Sequence, residues 1–567
     1  MKRLFTLFML AFVAMSCEEL QDFIDPKGHG LVFLEGDMKA YFDDKGDTKN
    51  YKFNADLAWR AEVSADWVEV NPTSGPAGEN KIQIKVDKNK SDEKRTGYVD
   101  ITLSNDKSYR IELEQLASGE NLDDITPSVS IPNNEIWYTS ASGNIVMPCS
   151  FEYEPQLDFI TAFGANMVSN TYNAERECWV IRFDNDVTTI GYNAFKYCID
   201  LTSVVVPNSV TTIGNEAFYA CWSLISVTMP DSVVAIDDMA FWQCTSLLSI
   251  TIPDSVTTIG YQAFGDCHSL TSVTIPNGVT SIGYGAFAAC NSLMKFNSQF
   301  ASDDGRCLII NETLNSFAPA ALTEYTIPGS VTTIGECAFG GCNNLISIVI
   351  PDTVTLIGSV AFCCCDGLTS VTIPDSVTSI GYGAFYECHG LTNVSLGNRL
   401  SVIGEEAFLW CDNLLNIIIP DSVTTIGDNA FGCCFSLAKI DGKFASKDNR
   451  CLIVDGVFNS FAPAGLTEYT IPDGVTAITH NVFAGCSSLR SVTIPDSVTT
   501  IGWYAFYGCS DLTSVYCKAT TPPAGGYNMF DDNAPGRKIY VPMESVEAYK
   551  SAEGWSDYAD AIVGYDF

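Results

Sequence analysis

A chain of 567 residues is too long for one core, and about two to four domains are expected. With 46 % hydrophobic and 17 % charged residues it is globular, neither disordered nor membrane-embedded. Its 68 acidic against 31 basic residues give a formal net charge of −37, which argues against nucleic acid or anionic membrane surfaces as partners, since both need clustered Lys and Arg.

The chain opens with MKRLFTLFMLAFVAMSC, in which Lys2 and Arg3 precede an apolar run from Leu4 to Met15. That run is too short to span a bilayer, so residues 1–17 read as a signal peptide. The closing Ala14-Met15-Ser16-Cys17 resembles a bacterial lipobox. The resemblance implies that the Cys17 thiol takes a diacylglyceryl group, with the small Ser16 admitting the peptidase; ordinary cleavage beside an unmodified Cys is the alternative. Two or three acyl chains anchor stably where one would not. Glu18-Glu19 resembles the acidic signal that sends lipoproteins of Bacteroidetes to the outer face. The implied location is the outer membrane, displayed on the cell surface, with residues 18–27 as a tether and membrane contact only through the lipid.

Residues 28–118 hold 13 of the 31 Lys and Arg. Alternating runs such as NKIQIKVDKN, GYVDITL and YRIELEQL, separated by turn clusters such as NPTSGPAGEN, predict a small antiparallel β-sandwich of about seven strands. Trp59, Trp67 with the following VEVNPTSGPAG, Asn89, Arg95-Thr96-Gly97 and Gln115 resemble the BACON domain, a family associated with carbohydrate binding. Trp59 and Trp67 are sugar platforms or core residues; their place in alternating strands favours the core. Residues 119–186 read as a linker followed by a solenoid cap, because a solenoid without one exposes its core.

From 187 to 516 the text repeats. Phe recurs every 23 residues from Phe195 to Phe287, from Phe339 to Phe431, and at Phe483 and Phe506, each three residues before a Cys. Two gaps of 52 hold longer units, FASDDGRCLIINETLNSFAPAALTEYTIP and FASKDNRCLIVDGVFNSFAPAGLTEYTIP, whose starts lie 144 residues apart and mark an internal duplication. The period and the L-x-x-V-x-I spacing fall in the leucine-rich range. The consensus IGxxAFxxCxxLxxVxIPxSVT resembles BspA-like leucine-rich repeats. In the coil Cys267–Cys290, Leu270, Val273 and Ile275 alternate along a strand, Pro276 ends it, Val279 and Ile282 turn inward, Gly283 permits a tight bend, and Ala286 and Phe287 fill the far side beside Cys290. The expected fold is thus a mixed multi-domain chain. An N-terminal antiparallel β-sandwich precedes a leucine-rich-repeat solenoid of about fourteen coils with a parallel sheet and terminal caps.

The recurring cysteines could form disulfides between coils, but inward-pointing parallel side chains suit buried thiols better. Zinc at Cys363-Cys364-Cys365 is disfavoured, since no His stands at ligand spacing. Residues 517–567 predict a cap with a strand at Lys538–Val541, a helix from Glu544 carrying Val546 and Tyr549, and Trp555 and Tyr558 over the last coil.

No catalytic constellation emerges, and no metal or cofactor site. The recurring Asp231, Asp254 and Asp375 are turn residues, and His268, His389 and His480 lie in different coils. The chain is expected not to be an enzyme. Binding remains. The sheet face, with Thr271-Ser272-Thr274 as its type, is polar and without aromatic anchors, whereas aromatics collect around IGxxAFxxC. Tyr192, Tyr219, Trp242, Tyr261, Tyr284, Tyr382, Tyr386, Trp410, Trp503 and Tyr507 are the candidate ligand-binding residues, with packing between coils as the alternative. The BspA-like resemblance implies an adhesin whose solenoid grips extracellular proteins or glycoproteins. The other reading is a lipoprotein capturing polysaccharide or mucin through the BACON-like domain; a third makes the sandwich only a spacer.

Overall fold

The computed structural model describes residues 31–35, 39–42, 46, 48–55, 57–91, 93–104, 108–115, 131–148, 159–174 and 176–567. Cys17 and the tether lie outside the described residues. Two compact units divide the chain, residues 1–129 and 130–567.

In the first unit, alternation of apolar and polar residues places apolar side chains from both sheets in a shared core. Leu31–Glu35, Thr48–Ala55, Gly78–Val86 and Val68–Asn71 form one sheet, and Lys39–Phe42, Ser108–Gln115, Arg95–Leu103, Trp59–Val63 and Ser74–Gly75 the other. The described strands thus number nine against the seven expected, and Lys39–Phe42 runs parallel to Ser108–Gln115. Phe42, Phe53, Ile82, Val99, Ile101 and Ile111 meet between the sheets. Trp59 is buried with them, its ring edge-on to Phe53 at 4.9 Å. Trp67 is half-buried beneath the Arg95 guanidinium, 4.3 Å from its ring centre. The polar markers of this region form a clamp. Arg95 Nε donates to Gln115 Oε1 at 2.8 Å, and both side chains donate to the Asp87 carbonyl at 2.6 and 2.9 Å. The buried Asn89 donates to the Glu93 carbonyl at 2.9 Å.

The second unit is a solenoid of about 16 turns. Each 23-residue coil has a front strand, a back strand and a corner. In one coil Ser272–Thr274 is the front strand, paired in parallel with those of both adjacent coils, and Ser281–Ile282 the back strand, paired in parallel with that of the preceding coil. The back ladder is a second parallel sheet beside the single one read from the text. It is legible only once coils stack, because two residues are too few to show a period.

Inside, each phenylalanine stacks on the next at 4.8 to 5.2 Å within the runs Phe195–Phe287 and Phe339–Phe431. The twelve repeat cysteines are buried thiols, and nine of them aim Sγ at the phenylalanine carbonyl of the preceding coil, as in Cys388 to Phe362 at 3.0 Å and Cys411 to Phe385 at 3.2 Å. A small apolar side chain with a weak donor fits that place. Burial pushes these thiols well above their usual range.

Gly283 does not serve the bend assigned to it: its φ is not left-handed. A Cβ there would stand 2.3 Å from the Tyr261 nitrogen of the preceding coil, and at Gly404 2.5 Å from the Gly381 carbonyl carbon. The column is glycine because stacked backbones approach closely, although Asp237 and Thr479 occupy it in two coils.

The long units insert antiparallel hairpins, Cys307–Ile310 with Thr313–Phe317 and Cys451–Val454 with Val457–Phe461, into the back ladder. They carry no corner, so the Ala289 N–H donates straight to the Gly340 carbonyl, 51 residues on, at 2.9 Å. They also divide the interior into three core clusters, roughly 136–318, 307–462 and 451–562.

Glu135–Ser140 pairs antiparallel with the first front strand, Leu201–Val205, and Phe163 plugs the phenylalanine column 5.6 Å from Phe195. At the other end the coil pattern runs further than the text suggested. Phe530 stacks on Phe506 at 5.2 Å, and Asn533 Nδ2 donates to the Phe506 carbonyl at 2.7 Å, the bond a cysteine makes elsewhere. Lys538–Pro542 and Ile562–Tyr565 add two front strands, with Val546–Ser551 helical between them and Trp555 fully buried. No helix among the described residues is long and apolar enough to cross a membrane.

Candidate functional site

The corner, IGxxAFxxC, is built from two left-handed residues per coil, one before Ala-Phe and one after. In the coil of Phe385 these are Gly383 at φ 53° and Glu387 at 54°. Most are not glycine, which L residues tolerate only where the surroundings fix them. Here the reason is hydrogen bonding along the solenoid. The left-handed turn aims N–H groups at the next coil, so that Gly383, Phe385 and Glu387 donate to the Glu405, Ala407 and Leu409 carbonyls at 3.0, 2.7 and 2.9 Å. The corner backbone is thereby satisfied between coils, and its outward side chains are free to differ.

The ten candidate aromatics divide by burial. Tyr192, Tyr284, Trp410, Trp503 and Tyr507 are exposed, with Trp503 the most open at 59 %. Trp242, Tyr261 and Tyr382 are half-buried. Tyr219 and Tyr386 are buried at 8 and 6 % exposure and pack between coils. Tyr219 lies 4.8 Å from the Trp242 ring and under the Lys196 ammonium at 4.7 Å. Tyr382 donates to Glu406 at 2.6 Å, and Tyr261 reaches Glu336 at 3.4 Å across the missing corner of the long unit. Burial raises the hydroxyl pKa of Tyr219, Tyr261, Tyr382 and Tyr386, so they stay neutral donors. Tyr261 and Tyr284 share a shallow cleft with Asp237 and Asp238.

Three exposed or aromatic features escaped the sequence reading. Trp222, 48 % exposed, follows a repeat Cys and so falls outside the corner consensus. Tyr527, 66 % exposed, lies in the irregular last coil. The front face is not free of aromatics either: Tyr516 and Tyr540 stack at 4.7 Å, with Tyr565 edge-on to both. Leu415 and Ile418 also open to solvent there.

Other candidate groups are taken locally. His389 Nδ1 meets Asp412 at 2.9 Å, His268 Nδ1 meets the Ala289 carbonyl at 2.9 Å, and His480 accepts the Trp503 N–H at 2.8 Å. Asp375 accepts the Asn398 N–H of the next coil at 2.7 Å. Cys365 points to the Phe339 carbonyl at 3.1 Å while Cys364 points to Glu387 at 3.6 Å, so the consecutive thiols diverge. Among the described residues no group of three or more His, Cys, Asp or Glu is placed to hold a metal ion.

The chain is similar to known families and structures. The description BspA type Leucine rich repeat region matches in six copies across residues 166–294, 313–438 and 457–551. The description Viral BACON domain matches residues 42–117. No curated protein matches the chain. A leucine-rich repeat protein from Bacteroides ovatus is similar at 28 % identity, over 63 % of this chain and 88 % of that one, with a TM-score of 0.33. Another from Eubacterium ventriosum is 22 % identical over 58 % and 90 %, with a TM-score of 0.40. A leucine rich cell surface protein from Faecalibacterium prausnitzii is 25 % identical over 62 % and 86 %, with a TM-score of 0.29.

Proposed function

This chain belongs to the BspA-type leucine-rich repeat family, and from that premise we propose that it is a non-enzymatic cell-surface protein whose solenoid binds proteins or glycoproteins of a host or of neighbouring cells. The corner face carries this reading. Its backbone is satisfied from coil to coil, and its exposed side chains include Tyr192, Tyr284, Trp410, Trp503 and Tyr507, residue types expected where binding energy concentrates. The region 187–516 holds 28 acidic against nine basic residues, so partners with neutral or basic surfaces are favoured. The proposed anchor is a lipid on Cys17 in the outer membrane, and binding uses no cofactor. Because Trp59 lies in the sandwich core, residues 28–118 serve better as a spacer than as a sugar platform.

Soluble pieces spanning residues 18–129 and 130–567 test this against mucin, polysaccharides and extracellular-matrix proteins. Protein binding by the larger piece alone is expected. Binding confined to the smaller piece, and to glycan, would transfer the function to the sandwich.

A further inference from the structure

The last three corners carry a His–Trp pair and a group of three tyrosines that the duplicate coils lack. His480 and Trp503 lie 5.2 Å apart, Tyr504 and Tyr507 5.5 Å, and Tyr504 and Tyr527 6.3 Å. Trp503, Tyr507 and Tyr527 are exposed. The duplicate coils 144 residues earlier have Glu336, Ser359, Val360 and Cys363 where these have His480, Trp503, Tyr504 and Tyr507. The same scaffold folds without the rings, so packing does not demand them.

Their surroundings define the chemistry. The corner columns of these coils hold Asn481, Gly485, Gly508, Asn528, Asp531 and Asp532 beside the rings, and the one branched aliphatic between them, Val482, is buried. A partner held by apolar side chains would find ring faces and hydroxyls but no greasy socket. Beside the platform opens a cleft of about 490 Å³ lined by Asp531, Asp532, Asn533, Arg537, Lys538 and Asp560. The Asp532 carboxylate holds the Tyr507 hydroxyl above its ordinary pKa, so the two groups face each other where the rings meet the cleft. The cleft wall is fixed in advance. Arg537 donates to Asn533 Oδ1 at 2.9 Å and lies 4.9 Å from the Tyr558 ring, and Tyr558 donates to Asp531 at 2.8 Å. Flat rings next to a preordered row of carboxylates, an amide and a guanidinium match a ligand with a C–H face and a rim of hydroxyls, which is a pyranose. Three carboxylates against two cations, on an acidic solenoid, disfavour sulfated or carboxylated sugars.

We propose that Trp503, Tyr507 and Tyr527, with the cleft from Asp531 to Lys538, bind a neutral oligosaccharide. The proposal rests on the reading that the solenoid carries the binding surface, and it names a ligand class and an address on it.

Calorimetric titration of the soluble chain with neutral gluco-, galacto- and manno-oligosaccharides, and with sialylated and sulfated ones, provides the test. At least one neutral probe binds. Trp503→Ala with Tyr527→Ala weakens it about tenfold or more, and Asp532→Asn weakens it severalfold, while Trp222→Ala, outside the corner consensus, leaves it unchanged. The substituted side chains are exposed, and unchanged thermal unfolding certifies the fold of each variant. No binding by any neutral probe, a preference for the anionic ones, or equal binding by the platform variant overturns the proposal. Protein binding that persists in that case leaves the solenoid reading standing; loss of both removes both.

Discussion

Replacing Phe385 by Ala removes a ring from the middle of the central core. Phe385 lies 5.0 Å from both Phe362 and Phe408, within 4° of parallel, and is fully buried. Truncating a buried Phe costs about 3–5 kcal/mol, and two stacked contacts place this site near the top of that range, about 5 kcal/mol. A solenoid couples mainly through neighbouring coils, and the long units separate three core clusters. The loss should therefore stay local. Hydrogen exchange read peptide by peptide should show residues 331–440 opening far more readily, with 187–290 close to wild type. Urea unfolding should broaden or split into two transitions. A single transition shifted equally for all three segments, or a loss below about 1.5 kcal/mol, would refute the reasoning.

Gly427→Ala places a Cβ 2.1 Å from the Glu405 nitrogen, whereas Gly329→Ala meets nothing within 4 Å; the first should cost about 3 kcal/mol or more and the second stay within about 0.5, as measured by denaturant midpoints. Iodoacetamide at pH 8 should label the half-buried Cys363 and Cys364 first, and Cys388 only on unfolding, because burial holds that thiol neutral; labelling of Cys388 at the rate of Cys364 would contradict the burial reading. The hydrogen bond to Asp412, against opposing desolvation, raises His389 to about 9. Its folded pKa lies above the unfolded value of about 6.5, so its stabilisation is complete below that pH and fades as pH rises through about 9. His389→Gln should lower the unfolding temperature at pH 6 and leave it unchanged at pH 10, by less than about 1 kcal/mol since the pair is partly exposed.

The repeat text dictated a great deal by itself. A period of 23 with Leu, Val, Ile, Ala, Phe and Cys at constant offsets leaves one way to bury those side chains, coil upon coil, and so gives the solenoid, its core and its buried thiols. Alternation gave the sandwich, and its Trp59 went to the core. The last turn escaped because Phe530 follows Phe506 by 24 residues and Asn533 replaces the cysteine, a substitution that makes sense only when its bond to the Phe506 carbonyl is seen.

Among the candidate binding residues, sequence supplied the column and not the exposure. Tyr219 and Tyr507 occupy the same offset, yet Tyr219 is covered by Trp242 and Lys196 while Tyr507 opens to solvent. That difference depends on side chains one coil away, 23 residues distant in the text. Likewise the glycine column reads as a turn signal along the chain and proves to be a contact between coils. What recurs within one coil was determined by the sequence. What each position exposes was decided by stacking, because in a solenoid every residue's neighbours belong to the coils on either side.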